Sequence, residues 1–339
     1  MAKALPMQVV NLGQRQSAKT MGQMPAPPIA GFIPSPITGA LIPVFLVELT
    51  HRGRTEQIQV GFDTGMSGAH LEIPTSTANK LGLTAIDTEE FIDASGVHLS
   101  SVAHIDKISL PGKSGCFVPR AKVIFHDGAP TLIGNDFIRD IGGSIRYGSK
   151  GASLTCTGGI AEPGLHLPKF RISIVHRNKV LNVDALFDTG WETADVAMPA
   201  SMADQLGLSI IGQKTASTHT GNVTLYQAKA DKVGLSDLSQ CFVNDAVVSI
   251  YPRGSSWDDL GHVVVGEPFF KRTGGTLGYD SDGAFFGCRA SSGRVRAIET
   301  EWVPIDYLVS TVMGVPAVVW IAGGLLVVVG LGVLIGRNV

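Results

Sequence analysis

Two short stretches of this 339-residue chain carry the residues best suited to chemistry: Phe62-Asp63-Thr64-Gly65 and Phe187-Asp188-Thr189-Gly190, 125 positions apart. In each, an apolar run leads into a carboxylate, with a hydroxyl and a glycine behind it. A strand ending there would fix the carboxylate in place, and Gly lets the chain turn tightly enough to aim backbone N–H groups at it. One such tetrapeptide carries little information, because many Asp-bearing turns contain it. Two of them, at matching places of a repeated unit, are specific, since two-fold pseudosymmetry brings equivalent loops together. Two carboxylates a few Å apart do not both ionise cheaply, so they share one proton. Such a pair can hold a water, with one member acting as base and the other as acid.

The elements that must position this pair form an internal repeat. At an offset of 125, His51-Arg52 meets His176-Arg177, Pro74 meets Pro199, and Leu81-Gly82-Leu83 meets Leu206-Gly207-Leu208. Cys116-Phe117-Val118 meets Cys241-Phe242-Val243 at the same offset. Seven inserted residues then shift the offset to 132, where Gly134 meets Gly266, Phe137 meets Phe269, Gly142-Gly143 meets Gly274-Gly275 and Cys156 meets Cys288. Two copies make a pseudo-dimer rather than a solenoid. Within each copy the pattern is mostly strand. Leu41 to Glu48 and Ile58 to Phe62 are apolar, with a polar turn at His51-Arg52-Gly53-Arg54. Pro74 to Leu83 and Pro199 to Leu208 read as short helices that open on Pro and stop at Leu-Gly. Ser95-Gly96 and Thr220-Gly221 mark tight turns. The expected class is all-β, in two pseudo-symmetric lobes.

In combination these motifs resemble the retropepsin-like aspartic proteases. The likeness rests on apolar-apolar-Asp-Thr-Gly, then Leu-Gly-Leu, a Ser-Gly turn, and Leu132-Ile133-Gly134-Asn135-Asp136-Phe137. Val264-Val265-Gly266-Glu267-Pro268-Phe269 is the second copy of that last motif. It covers roughly residues 41–288. The resemblance implies a fused single-chain enzyme with Asp63 and Asp188 as its dyad. Thr64 and Thr189 would brace the two loops, and Gly65 and Gly190 would leave room beside the water. Ser95, Gly96, Thr220 and Gly221 would sit at flap tips closing over an extended polypeptide held by main-chain hydrogen bonds. No cofactor and no metal are implied, and one chain would make a monomeric catalytic unit.

The residue after each Asp-Thr-Gly is small in that family but is Met66 and Trp191 here. Neither side chain donates to the carboxylate as a hydroxyl would, and fewer bonds to the charged form leave the dyad pKa higher. Activity nearer neutral pH than in gastric-type enzymes is the expectation. The alternative is a catalytically weak relative that binds peptides or tethers a partner at a membrane. Cys116 with Cys156 and Cys241 with Cys288 read as one disulfide per lobe or as buried thiols. There is no C-x-x-C spacing for zinc and no H-E-x-x-H. His51 and His176 read as surface turn residues, and Asp136, unmatched at Pro268, as structural.

Balanced charge, with 27 Lys plus Arg against 29 Asp plus Glu, argues against a nucleic-acid partner. Hydrophobics at 44% exclude wholesale disorder. The 21 residues Val315 to Ile335 carry no charge, and roughly 20 suffice to span a bilayer as a helix. Trp320 near one end suits an interface. No signal-peptide core precedes residue 30. The organisation expected is a flexible Pro-rich arm (1–40), lobes at 41–160 and 161–290, a linker (291–314) and a transmembrane helix (315–335). A terminal anchor without an export signal would be inserted tail-first and leave the main domain on the cytosolic side. Arg289, Arg294 and Arg296 ahead of the span agree with the positive-inside rule.

Overall fold

The structure, a computed structural model, describes residues 31–34, 41–93, 96–148, 151–158, 167–218, 221–259 and 261–298. The first half runs β1 (Gly31–Pro34), β2 (Leu41–His51), β3 (Arg54–Asp63), β4 (Leu71–Pro74), α1 (Thr75–Leu81), β5 (Asp87–Asp93), β6 (Gly96–Ser109), β7 (Phe117–His126), β8 (Leu132–Gly134), α2 (Asn135–Asp140), β9 (Gly143–Gly148) and β10 (Gly151–Cys156). The second half runs β11 (Lys169–His176), β12 (Lys179–Asp188), β13 (Val196–Met198), α3 (Ala200–Leu206), β14 (Gly212–Thr218), β15 (Gly221–Leu235), β16 (Phe242–Ile250), α4 (Ser256–Asp259), β17 (Val263–Gly266), α5 (Glu267–Thr273), β18 (Thr276–Asp280), β19 (Gly283–Gly287) and β20 (Arg294–Arg296).

Each half closes a six-strand ring. In the first, β2, β3, β8, β4, β7 and β6 are neighbours in order, and a further β2–β6 pairing closes the circuit. In the second, β11, β12, β17, β13, β16 and β15 do the same, closed by β11–β15. Closure removes the unpaired edges on which strands would aggregate. Strands β3 and β12 show why the chain enters the lobe centre. Their outer halves alternate exposed and half-buried residues, whereas Val60-Gly61-Phe62 and Ala185-Leu186-Phe187 are buried without a break. A period of two marks a strand with one wet face, and a continuous apolar run marks one covered on both faces.

The short helices obey the sequence. Pro74 and Pro199 are the N-caps of α1 and α3, and Gly82 and Gly207 end them with φ of 73° and 71°. Gly82 N–H donates to the Asn79 carbonyl and Leu83 N–H to the Ala78 carbonyl. The Leu-Gly-Leu motif is therefore a left-handed stop whose flanking leucines pin the helix to the core; Leu81, Leu83 and Leu206 are buried and Leu208 is half-buried.

A third sheet, in the order β10-β9-β18-β19-β20, joins the halves. Strands β9 and β18 pair antiparallel, with Ser144 opposite Gly278, Ile145 opposite Leu277 and Arg146 opposite Thr276. At the offset of 132, Ile145 corresponds to Leu277, so the central residue pairs with its own copy and the pseudo-two-fold axis runs through that pair. Cys116–Cys156 and Cys241–Cys288 are disulfide-bonded, each tying a barrel turn to this sheet, with Cα separations of 6.1 and 5.7 Å.

Three expectations need correction. Residues 31–34, assigned to the arm, form β1 against β2, and residues 294–296, assigned to the linker, form β20 against β19. Both gain main-chain partners from strands far away in sequence, which local composition does not reveal. His51 is 8% exposed and His176 half-buried, not surface residues. Their turns, with Arg52 and Arg177 at φ of 50° and 53°, fold back so that the Arg backbone N–H groups donate to Asp106 and Asp231. The apolar segment 315–335 lies outside the described residues. Among the described residues, no helix is long and apolar enough to cross a membrane.

Candidate active site

Register brings the two motifs of each copy together. Parallel pairing of β3 with β8 sets Asp63 beside Gly134, and parallel pairing of β12 with β17 sets Asp188 beside Gly266. The chain after each Asp turns and is held from behind: Asn135 N–H donates to the Met66 carbonyl and Glu267 N–H to the Trp191 carbonyl, each at 2.8 Å.

The two Asp-Thr-Gly loops meet on the pseudo-axis through reciprocal bonds. Thr64 N–H donates to Thr189 Oγ1 at 3.1 Å, and Thr189 N–H to Thr64 Oγ1 at 2.9 Å. Thr64 Oγ1 in turn donates to the Phe187 carbonyl at 2.9 Å, and Thr189 Oγ1 to the Phe62 carbonyl at 3.0 Å. Both threonines are buried, at 1% and 3% exposure, so these four bonds satisfy groups that water does not reach. Each hydroxyl both accepts and donates across the boundary, which locks the two loops in one arrangement.

Gly65 and Gly190 stand opposite the partner carboxyls. A Cβ on Gly65 would lie 2.6 Å from Asp188 Cγ, and one on Gly190 would lie 2.7 Å from Asp63 Cγ. Close approach of one loop to the other's carboxylate, not an unusual backbone angle, fixes glycine at both places.

The carboxyls themselves are unequal. Asp63 Oδ1 accepts from Gly65 N–H at 2.9 Å and Met66 N–H at 3.1 Å. Asp188 Oδ1 accepts from Gly190 N–H at 2.7 Å, while Trp191 N–H donates to the Asp188 carbonyl instead. Burial, then the Asp63 charge and the hydrogen bond shared with Asp63, push the Asp188 carboxyl well above the ordinary range. The backbone of Met66 thus makes a bond to the carboxylate that its side chain lacks the chemistry to make.

Met66 and Trp191 turn into two satellite clusters. Met66 packs with Ala69, Phe91, Val102 and Ile124. Trp191 packs with Leu186, Tyr251 and Trp257, its ring centroid 5.8 Å from Tyr251 and 5.9 Å from Trp257. Trp257 lies on α4, inside the seven-residue insertion, so the cluster beside Asp188 holds Trp191, Tyr251 and Trp257 where the cluster beside Asp63 holds Phe91 as its aromatic residue. Hairpins β5–β6 and β14–β15 contribute Phe91 and Val102 to one cluster and Ala216 and Leu225 to the other. Their registers end at Asp93 opposite Gly96 and Thr218 opposite Gly221. Gly96 and Gly221 thus begin the returning strands; Ser95 and Thr220 lie outside the described residues.

One duplicated position exchanges charge between the lobes. His70 Nε2 lies 3.0 Å from Asp140, and His70 Nδ1 accepts from Lys122 N–H. At the equivalent places Asp195 accepts from Val247 N–H and from Arg272 at 2.6 Å. The donating side chain sits on the loop in one half and on the helix in the other, with the same backbone N–H engaged. Asp136, read as structural, is bound by Arg139 and Gly68 N–H. Among the described residues, no group of His, Cys, Asp and Glu is placed to hold a metal ion.

Spacing alone did not single out Tyr147 and Tyr279, which are 3% exposed and lie on the two pairing strands of the shared sheet. The 132-residue offset places them on each other and was the available signal. Tyr279 OH donates to Asn135 Oδ1 in the other half. Tyr147 packs on Phe270 of the other half, with ring centroids 5.5 Å apart.

With this geometry in view, the chain is similar to two solved aspartic protease structures. A retropepsin-like aspartic protease from Rickettsia conorii is 14% identical, over 34% of this chain and 79% of that one, with a TM-score of 0.25. An aspartic proteinase from Irpex lacteus is 10% identical, over 76% of this chain and 94% of that one, with a TM-score of 0.41. No family model and no curated protein matches the chain. These likenesses are remote, and the functional reading stands on the site itself.

Proposed function

We propose that this chain is an aspartic endopeptidase that hydrolyses peptide bonds with a water held between Asp63 and Asp188. The observation that carries the reading is the reciprocal threonine brace, which holds Gly65 against the Asp188 carboxyl and Gly190 against the Asp63 carboxyl. Asp188, raised by burial and by Asp63, is the member of the pair that holds the shared proton. Asp63, supported by two backbone N–H groups, is the base that takes a proton from the water as it attacks the carbonyl carbon. Asp188 then gives its proton to the carbonyl oxygen, forming a neutral tetrahedral diol. Collapse of that diol breaks the C–N bond as the leaving nitrogen is protonated. No covalent intermediate forms on the protein. The β5–β6 and β14–β15 hairpins cover the substrate strand.

We further infer, from sequence alone, that residues 315–335 anchor the enzyme in a bilayer with its catalytic unit on the cytosolic side. The raised Asp188 favours work nearer neutral pH than a gastric dyad, whose pepsin values are about 1.5 and 4.7. The test is cleavage of a broad peptide library across pH by the full chain, alongside Asp63→Asn and Asp188→Asn. Each substitution is expected to lower kcat by at least about 10³-fold, within the range for acid–base groups. Activity surviving either one refutes the dyad. A wild type inert toward the whole library favours a peptide-binding relative instead.

A further inference from the structure

Among the described residues, three polar atoms on the Asp188 side are buried without a hydrogen-bond partner: Trp191 Nε1, Tyr251 OH and Trp257 Nε1. They belong to one triangle of rings. The centroids are 5.8 Å apart for Trp191 and Tyr251, 5.9 Å for Trp191 and Trp257, and 5.7 Å for Tyr251 and Trp257. Buried donors are nearly always paired, so three in one cluster imply an occupant. The first half shows how the deficit arises. At the offset of 125, Tyr251 corresponds to His126 and Ala197 to Glu72. His126 Nε2 and Glu72 Oε1 are hydrogen-bonded at 2.9 Å. In the second half a methyl group stands where the Tyr251 phenol would need that carboxylate. Trp257 has no counterpart at all, because it lies in the insertion.

The triangle adjoins the catalytic pair. Gly266, beside Asp188 in the register, lies against the edge of the Trp191 ring. A Cβ there would be 2.9 Å from Trp191 Cδ1, the atom bonded to Nε1. Trp191 and Trp257 are each half-buried, so their rings border solvent although their N–H groups are buried. Ala216 of β14 and Val223 and Leu225 of β15 pack on the cluster. The hairpin that covers the substrate strand in the proposed reaction therefore also roofs these rings, and a substrate side chain beneath it is brought up to them.

Chemistry narrows the occupant. An indole N–H only donates, whereas a phenol donates and accepts. Burial, then the Asp188 charge, push the Tyr251 phenol well above its ordinary range, so it keeps its proton. The occupant must bring an oxygen acceptor. A carboxylate would set a second negative charge near Asp188 in a water-poor place, which is costly. A primary carboxamide brings a neutral oxygen with two lone pairs and an NH2 that can donate to the phenol oxygen. We propose that Trp191, Tyr251 and Trp257 form a specificity pocket for a substrate glutamine or asparagine side chain next to the cleaved bond. The inference rests on the endopeptidase reading and names the substrate residue for that same site. Such a pocket rejects a side chain without an acceptor, because its donors then stay buried and unpaired.

The test uses the full chain in detergent micelles and three peptide pools, each with a fixed central glutamine, glutamate or methionine and randomised flanks. Methionine is close to glutamine in length but lacks the carboxamide. The first readout is kcat/KM for cleavage on either side of the fixed residue. Wild type should favour the glutamine pool over the methionine pool by at least about tenfold. Tyr251→Phe, which keeps the ring, should reduce that ratio to below about threefold. Trp257→Phe, outside the barrel strands, repeats the test should Tyr251→Phe fail to fold. The second readout is binding of the same pools to Asp63→Asn, followed by tryptophan fluorescence, with the glutamine pool expected to bind more tightly. Equal cleavage of the glutamine and methionine pools overturns the pocket, as does a preference for glutamate. A glutamine preference unchanged in both folded variants overturns it too. A wild type that cleaves no pool overturns the endopeptidase reading, and the relative affinity of the glutamine and methionine pools then decides on the pocket alone.

Discussion

Gly65 faces the carboxyl of Asp188 at a distance that leaves no room for a methyl group, since a Cβ there would lie 2.6 Å from Cγ. The opposing loop is fixed by the threonine brace, so the carboxyl has to move. Gly65→Ala should fold, because the conflict is confined to one contact, but should lose about 10²-fold or more in kcat, the scale of a 1 Å misplacement. A folded Gly65→Ala with wild-type turnover would mean that the two loops are not held at this spacing.

The brace itself separates shape from hydrogen bonding. Thr64→Val keeps the volume but leaves the Thr189 N–H and the Phe187 carbonyl unpaired in a buried setting. Each such loss costs about 1–3 kcal/mol. Urea unfolding should show a drop of about 2–4 kcal/mol for Thr64→Val and less than about 1 kcal/mol for Thr64→Ser, which retains the hydroxyl.

Asp188 also gives a stability signature with a definite sign. Its folded pKa is raised, mainly by burial, above an unfolded value of about 3.9. Between those values the folded chain binds more protons than the unfolded one, so this group's contribution to stability falls as pH rises through the window. Asp188→Asn removes the penalty. The variant should melt above wild type at pH 7, and the gap should close as pH approaches about 4. A variant no more stable than wild type at pH 7 would count against a raised Asp188.

The disulfides close segments of 40 and 47 residues. Loop-closure entropy assigns about 4 kcal/mol to a loop of that size. Cys116→Ser or Cys241→Ser should lower the urea midpoint accordingly, and the non-reduced wild type should have a mass four hydrogens below the fully reduced chain.

Much of this architecture was legible because it is written twice. Asp-Thr-Gly at 63–65 and 188–190, the Leu-Gly-Leu stops, and the apolar runs into Gly134 and Gly266 each repeat, and the repeat filters out chance. Residues whose role depends on a partner far along the chain were not legible. Ile145 and Leu277 sit in short strands flanked by glycines, and nothing in their periodicity says that they meet. His51 and His176 looked like polar turn residues, because burial by a strand some 50 residues away leaves no local mark. The insertion around Trp257 was visible as a shift of register, but its packing on Trp191 was not. The flap tips and the tail rest on sequence alone.

The pairing of Ile145 with Leu277 has an evolutionary consequence. A homodimer built on that axis must accept every substitution twice, at two symmetric places at once. Once both copies lie on one chain, a change in one half is free of the other. Asn135 against Glu267, His70 against Asp195, and the aromatic insertion beside only one aspartate are the kind of divergence such a fusion permits. On the proposed endopeptidase reading, such a site would grip the two ends of a substrate strand differently, giving it a preferred direction that two identical halves do not have.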